Sequence, residues 1–233
     1  MKVDIIIPQY NNCEYTINLL KSIKDCTRDY RIILIDNGSD IAEFNSTIKE
    51  LKNHDSYFVI QNPENLGFIK GVNQGIASST AEYVILQNND TIVEPGWVDK
   101  MLECFDDPAV GLVGPTTEIA DSWQNRDNLP ASFFKSNKRE VGGMLAFFCV
   151  IIKRDVITKI GYLSEEFGLG FGDDDDYCER AKKANFKLVL RTDVTVIHYH
   201  RTTFKKYIPN WEDSKKENIA FFKKKHGIKP GGR

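Results

Sequence analysis

The sequence predicts an α/β domain with a mostly parallel central sheet. Short runs rich in β-branched residues alternate with stretches of helical pattern through the first half, as in chains built from βαβ units. At 233 residues, the chain is long enough to bury one sizeable core, so we expect one domain. The strand-like runs are 3–8, 31–36, 57–61, 83–87 and 110–115, and the helix-like stretches between them are 14–26, 41–53, 67–78 and 95–105.

The second half has a different pattern. A polar stretch with aromatic residues precedes an apolar run at 142–154, and a further helix is predicted at 172–185. Strands are predicted at 187–191 and 194–198. A last helix lies in the tail, with Asn210 as its N-cap and Gly227 as its C-cap.

Composition excludes several classes of protein. The formal net charge of −2 argues against a nucleic-acid binder that works by neutralising phosphates. The five cysteines are odd in number and never in C-x-x-C spacing, which indicates neither a disulfide framework nor a zinc site and favours a cytosolic location. The longest apolar run, 144–152, is shorter than the ~20 residues of a membrane span, so none is expected.

Polar residues follow each predicted strand of the first half. Because ligands of parallel sheets bind at the carboxyl ends of strands, we expect the segments 11–12, 36–40, 62–67 and 88–90 to share one rim. No dinucleotide-binding or P-loop glycine pattern occurs there. The Tyr10 ring can stack on a base and Asp36 can accept the imide N–H of uracil or thymine, or the two can serve in core packing and loop capping.

Acidic residues provide the second candidate for chemistry. Asp90 can hold a divalent cation on a diphosphate, although aspartate is also common in turns. Four consecutive aspartates, 173–176, repel one another unless a metal, a helix N-terminus or solvent relieves them, which favours a functional role such as a general base. The alternative is that one caps a helix while the others lie in water. His198 and His200 point the same way near a strand end, where either can add a metal ligand.

Together these segments resemble the large inverting glycosyltransferase family 2, particularly its rhamnosyltransferase-like branch. The resemblance implies a GT-A fold, with a Rossmann-like, mostly parallel sheet flanked by helices and a smaller acceptor-side sheet region. It also implies a nucleotide-sugar-binding half (1–115), a half for the acceptor and catalytic base (116–205) and a helical tail (206–233). The matching segments, in family order over roughly 3–200, are VDIIIPQYNN, IDNGSD, NPENLGFIKGVNQGI, YVILQNNDTIVEPGW, FGLGFGDDDDYCERAKKANFK and VTVIHYH.

The same resemblance assigns residues to roles. Asp174 corresponds to the catalytic base, beside Asp173, and Asp90 with His198 would hold Mn²⁺ or Mg²⁺. Asn88 replaces the first acid of the family's D-x-D motif, so the site offers one carboxylate there. The residues expected around the nucleotide sugar are Pro8, Tyr10, Asn11, Asp36, Asn65, Lys70, Asn89 and Asp90.

The resemblance implies inverting transfer of a sugar from a UDP- or dTDP-linked donor to a hydroxyl of a saccharide or lipid-linked glycan. Trp123, Phe133, Phe134 and Gly143 are expected on the acceptor side, although these aromatic residues can equally anchor a long loop. The lysines at 223–225 can touch a membrane surface or an anionic acceptor, but a solvated helix face is the commoner role. Two alternatives remain open: a sugar nucleotidyltransferase and a non-catalytic nucleotide-sugar-binding module. The chain can also be one domain of a longer protein.

Overall fold

The computed structural model describes residues 2–118, 122–168, 170–199 and 211–231. Its main sheet has eight strands in the order β3-β2-β1-β4-β8-β6-β9-β7, and β5 and β10 form a separate two-stranded sheet. The strands are β1 Val3–Gln9, β2 Tyr30–Asp36, β3 Tyr57–Gln61, β4 Tyr83–Gln87, β5 Thr91–Ile92, β6 Val110–Thr116, β7 Lys138–Glu140, β8 Cys149–Lys153, β9 Lys187–Thr195 and β10 Ile197–His198.

The helices of the first half lie where the sequence predicts them, within a few residues. The α-helices are α1 Cys13–Cys26, α2 Ile41–Leu51, α3 Phe68–Ala77, α4 Trp97–Leu102, α5 Arg154–Ile160, α6 Asp173–Lys183 and α7 Trp211–His226. The helix predicted at 95–105 ends in the 3-10 turn Glu103–Asp106. Helix α7 stops at Gly227, whose φ is 72° and whose N–H donates to the Lys223 carbonyl at 2.9 Å, which confirms the predicted C-cap. Asn210 and His200 lie outside the described residues.

The sheet is mostly parallel, as predicted. Strands β1 to β4 pair in parallel and so do β6 and β9, whereas β8 runs antiparallel between β4 and β6. The two strands predicted at 187–191 and 194–198 are one strand, β9, followed by the short β10. The polar interruption does not break β9, because the buried Arg191 is paired with Asp193 at 2.5 Å and with Glu103 at 2.9 Å.

Buried apolar residues form one core cluster on each face of the sheet. On one face, α3 lies unusually close to β1: a Cβ placed on Gly75 would come within 2.5 Å of the Ile6 Cγ2 atom. Glycine therefore sets the depth at which α3 packs and the position of its N-terminus at the rim. Among the described residues, no helix is long and apolar enough to cross a bilayer.

Candidate active site

The carboxyl ends of β1, β2 and β3 meet at one rim, as predicted. The backbone N–H of Asn37 donates to the Gln9 carbonyl, and the backbone N–H of Asn62 donates to the Asp36 carbonyl, each at 2.8 Å. The Asn11 side-chain oxygen accepts from the Asp40 N–H at 2.8 Å. The loops after these strands are therefore joined to each other by hydrogen bonds.

Asp36 lies at the centre of this rim and is fully buried. One carboxylate oxygen accepts from the Gln9 amide at 3.1 Å and the other from the Ser39 N–H at 3.2 Å. The loop-capping role is thus present, while each oxygen keeps a second lone pair. Pro8 is buried at the end of β1, and Tyr10 is half-buried beside it.

The predicted ribose and diphosphate residues lie at the start of α3. The Asn65 side chain accepts from the Gly67 N–H at 2.9 Å, where Gly67 is the N-cap residue of α3. Lys70 is exposed in the first turn of the same helix. A helix N-terminus with a lysine in its first turn favours an anion such as a diphosphate.

A buried amide network beneath the rim was missed by the sequence analysis. The Asn62 amide donates to the Asn37 side-chain oxygen at 2.8 Å, the Gln74 amide donates back to Asn62 at 2.9 Å, and the Asn37 amide donates to the Gly67 carbonyl at 3.0 Å. These bonds connect β2, β3 and α3 without any charge. Asn and Gln are so frequent in turns that sequence alone gives no signal for such a network.

Pairing of β5 with β10 brings Asp90 and His198 together, as the resemblance predicts. The His198 Nε2 atom lies 3.2 Å from Asp90 Oδ1, and the two side chains are only 8% and 7% exposed. The Asn88 amide nitrogen is 3.4 Å from the same imidazole nitrogen, and the Phe148 ring stacks on His198 with centroids 5.1 Å apart. Asn89, predicted to bind the donor, donates its side-chain amide to the buried Thr16 hydroxyl at 3.0 Å.

This donor set fits a divalent cation that is shared with a diphosphate. One carboxylate and one imidazole can provide two of the ligands of Mn²⁺ or Mg²⁺, and phosphate oxygens and water would fill the other coordination positions. Within the described ranges, no three His, Cys, Asp or Glu side chains group closely enough to hold a metal unaided. Asp90 and His198 would therefore supply two ligands, and Asn88 stands where the family's D-x-D motif has its first carboxylate.

The four aspartates form the first turn of α6. Its N-cap is Gly172, so the structure differs from the alternative in which an aspartate caps this helix. The chain enters α6 through a backbone with positive φ at Gly168, Gly170, Phe171 and Gly172, with 72° at Phe171. An aromatic residue in the left-handed backbone region is strained, and strained backbone conformations are common at functional sites.

The first two aspartates have the electrostatics of proton acceptors. Burial, together with the charge of Asp175, raises the pKa of Asp173 to about 6. Loss of hydration and the charges of Asp173 and Asp175 raise the pKa of Asp174 well above its ordinary value. Asp174 is also the more exposed of the two side chains. A carboxylate with these properties suits general-base chemistry near neutral pH.

The other two aspartates contact the C-terminal segment. The Asp175 carboxylate accepts from the Gly231 N–H. Asp176 is fully buried and lies 2.8 Å from His226 Nε2, 3.1 Å from Lys225 Nζ and 2.8 Å from Arg180 Nε. Although burial opposes ionisation, the hydrogen bonds from His226 and Arg180 lower the pKa of Asp176. The four aspartates therefore lie in two different environments: Asp173 and Asp174 have raised pKa values, whereas Asp175 and Asp176 contact the C-terminal segment.

A cavity of about 700 Å³ lies in the second half, lined by residues between 122 and 144 and by Gly231. Trp123 and Gly143, both predicted on the acceptor side, line it together with Phe133. The Trp123 indole N–H donates to the Met144 sulfur at 3.1 Å, which fixes the ring in the wall. Phe134 is 40% exposed and stacks instead under the Arg126 guanidinium, 5.6 Å from its ring centroid.

The Asp174 face of α6 lies toward the segment 142–145, and residues 142–144 of that segment line the cavity. Cys178, one turn after Asp174 on the same face, has its sulfur 3.3 Å from the Leu145 N–H donor. One turn further, the Lys182 ammonium donates to the Gly142 carbonyl at 2.7 Å. Since Asp174, Cys178 and Lys182 share one face, Asp174 lies on the side of α6 that faces this segment.

Solved structures share this fold. A mannosyltransferase from Pyrobaculum calidifontis, solved with GDP-Man and Mn²⁺, superposes with a TM-score of 0.75 at 16% identity, covering 98% of this chain and 66% of that protein. S. aureus TarS in complex with UDP gives a TM-score of 0.68 at 18% identity, covering 84% of this chain and 60% of the other.

The chain belongs to glycosyl transferase family 2, whose model matches residues 4–161. The pre-mycofactocin glycosyltransferase of Mycobacterium tuberculosis is 25% identical over 216 residues, and glycosyltransferase AglE of Haloferax volcanii is 24% identical over 212. These matches cover 88% and 84% of this chain, but 44% and 66% of the two relatives. The family prediction is confirmed, while the rhamnosyltransferase-like branch stays a prediction.

Proposed function

We propose that this chain transfers a sugar, with inversion at the anomeric carbon, from a UDP- or dTDP-sugar to a hydroxyl of a saccharide or lipid-linked glycan. The observation that carries the proposal is the buried Asp90–His198 pair, 3.2 Å apart, in a chain that also places four aspartates in the first turn of α6 and has a cavity of about 700 Å³ in its second half. Family membership over residues 4–161 and the fold shared with donor-bound transferases support the proposal.

The nucleotide half of the donor lies against the rim of β1 to β3 in this proposal. Tyr10 provides a flat face for the base, Asp36 accepts the imide N–H, and Asn11 helps to shape the pocket. Asn65 and Lys70 at the start of α3 face the ribose and diphosphate, where the helix dipole and the ammonium stabilise negative charge. Asn89 supports this site through Thr16.

Asp90 and His198 would hold the divalent cation, which supplies Lewis-acid neutralisation of the departing diphosphate when bound. Stacking of Phe148 against His198 restricts rotation of the imidazole and keeps its Nε2 atom toward Asp90. The buried pair excludes most water, which strengthens its attraction for charge in the reacting complex. GDP-Man and Mn²⁺ bind together in the Pyrobaculum neighbour, which supports a metal here.

Asp174 acts on the acceptor in the proposed mechanism. Its raised pKa increases its affinity for the proton of the attacking hydroxyl, and its side of α6 faces the segment 142–145, part of which lines the cavity proposed for the acceptor. Asp173 keeps negative charge beside it and so maintains that affinity. Trp123 presents an aromatic wall on which a sugar ring packs, with Gly143 leaving room in the same cavity.

A donor screen tests the proposal. UDP-sugars, dTDP-sugars and GDP-mannose are incubated with the protein, with and without Mn²⁺, and release of nucleoside diphosphate is measured beside thermal shift. We expect metal-stimulated release and a shift in melting temperature with a uracil or thymine nucleotide. The GDP arm is included because one structural neighbour carries GDP-Man.

The same screen separates the alternatives. Nucleotide-dependent stabilisation without release or transfer would indicate a non-catalytic binding module. Pyrophosphate release from a nucleoside triphosphate would indicate a nucleotidyltransferase. Failure of every donor to stabilise the protein or to be consumed contradicts the proposal.

A further inference from the structure

The C-terminal helix α7 contacts the elements that carry the proposed base. Its Asn218 amide donates to the carbonyls of Phe167 and Gly170, each at 2.7 Å, and the Lys215 ammonium lies 5.9 Å from the Phe171 ring centroid. These contacts fall on the loop with positive φ that leads into α6. Helix α7 therefore holds a strained segment directly before the aspartates.

A second set of contacts holds α6 itself. Asp176 is fully buried, and His226 and Lys225 of α7 bind the same carboxylate oxygen at 2.8 and 3.1 Å. The Lys183 ammonium is 3.1 Å from the His226 Nδ1 atom, so that Nδ1 accepts and Nε2–H donates to Asp176. The His226 side chain is only 4% exposed and packs against Phe222 with ring centroids 4.7 Å apart.

We infer that His226 and Lys225 are positioning residues for the transfer step, acting on Asp174 through Asp176. The inference rests on the proposed function of Asp174. Asp176 is two residues beyond Asp174 on the same helical turn, so a shift of its carboxylate rotates or tilts the base. Misplacement of a catalytic group by about 1 Å can cost about 100-fold in rate. The donor rim is joined by its own hydrogen bonds among the loops after β1 to β3 and the start of α3.

The experiment compares His226→Ala with His226→Gln in the full chain. The glutamine amide can still donate to Asp176, whereas alanine cannot. We expect His226→Ala to lower kcat at least about 10-fold with the Kd for the donor nucleotide within twofold of wild type, and His226→Gln to recover kcat to within about threefold. A role in stability alone would not produce a kcat loss that an amide donor rescues.

Arg31→Met is the matched control, because Arg31 binds the buried Asp4 at 2.6 Å near the amino end of the sheet, opposite the rim. It should lower the melting temperature without changing kcat. A folded His226→Ala variant with wild-type kcat overturns the inference. If His226→Ala does not fold, Lys225→Met is used in its place, because Arg180 and His226 still contact Asp176 in that variant. An unchanged kcat in folded Lys225→Met also overturns the inference. A wild-type protein that turns over no donor contradicts the proposed function instead.

Discussion

The rim of β1 to β3 and helix α6 are held in place by different interactions. At the rim, neutral amides of Asn37, Asn62 and Gln74 bond to each other between adjacent strands and α3. At α6, charged groups are held by residues from far along the chain, such as His226 on Asp176. A neutral network tolerates local change, whereas a buried carboxylate that loses its partner is costly. Helix α6 should therefore respond more strongly to single substitutions than the rim.

The largest expected effect is that of Asp174→Asn. Amide nitrogen cannot accept the acceptor proton, so kcat for transfer should fall by about 10²–10⁴-fold while donor binding is unchanged. Single-turnover transfer and donor titration measure the two quantities. Asp155→Asn is the control, since Asp155 also lies in the first turn of a helix but on α5. Near-normal transfer by Asp174→Asn would remove Asp174 from the role.

Asp173→Asn should stabilise the protein at high pH. Burial raises the pKa of Asp173 to about 6, so the folded state binds the proton of the Asp173 carboxyl group more tightly than the unfolded state does. The stability that this proton contributes is lost as pH rises through about 6. The variant should gain on the order of 1–3 kcal/mol in free energy of unfolding at pH 8 and almost none at pH 4. Urea unfolding at both pH values measures it; an equal gain at both would contradict the pKa assignment.

Much of the first half could be predicted from sequence because its order is local. Each run such as 31–36 is apolar, ends in a polar residue and is followed by a helix, and parallel pairing then brings the strand ends to one rim. Asp90 and His198 were placed together only through the resemblance. Their contact depends on the two-residue pairing of β5 with β10, which is too short to give a periodic signal.

The use of the acidic run could not be predicted. Sequence shows four equal carboxylates, whereas the structure gives Asp173 and Asp174 raised pKa values and gives Asp176 a lowered one. The pKa of Asp176 is lowered by hydrogen bonds from His226, Arg180 and Lys225, and of these His226 and Lys225 belong to the tail, whose lysine run is more often a solvated helix face. Long-range ion pairs leave no local pattern, so the division of the run appears only in three dimensions.

Asn88→Asp tests the proposed metal site at Asp90 and His198. The side chain of Asn88 lies 3.4 Å from His198 Nε2, so a carboxylate there would add a charged ligand beside Asp90. We expect about 10-fold tighter activation by Mn²⁺, about 1.4 kcal/mol. Mn²⁺ titration of donor release measures it, with Asn53→Asp at the end of α2 as a control for added charge. Unchanged Mn²⁺ affinity would place the cation away from this pair.

The smallest expected effect is at the acceptor cavity, and it separates the two sides of the site most directly. Trp123 lines the cavity and Phe134 does not, although both are aromatic residues of the same polar stretch. Trp123→Ala should raise the KM for a saccharide acceptor about 5–10-fold, roughly 1–1.4 kcal/mol, because it removes apolar area that packs on a sugar ring. Phe134→Ala should leave that KM within twofold. Donor hydrolysis without acceptor should be unchanged in both variants, since the donor rim is held by its own amide network. Equal effects of the two variants on acceptor KM would mean that the aromatic residues anchor the loop and that the acceptor binds elsewhere.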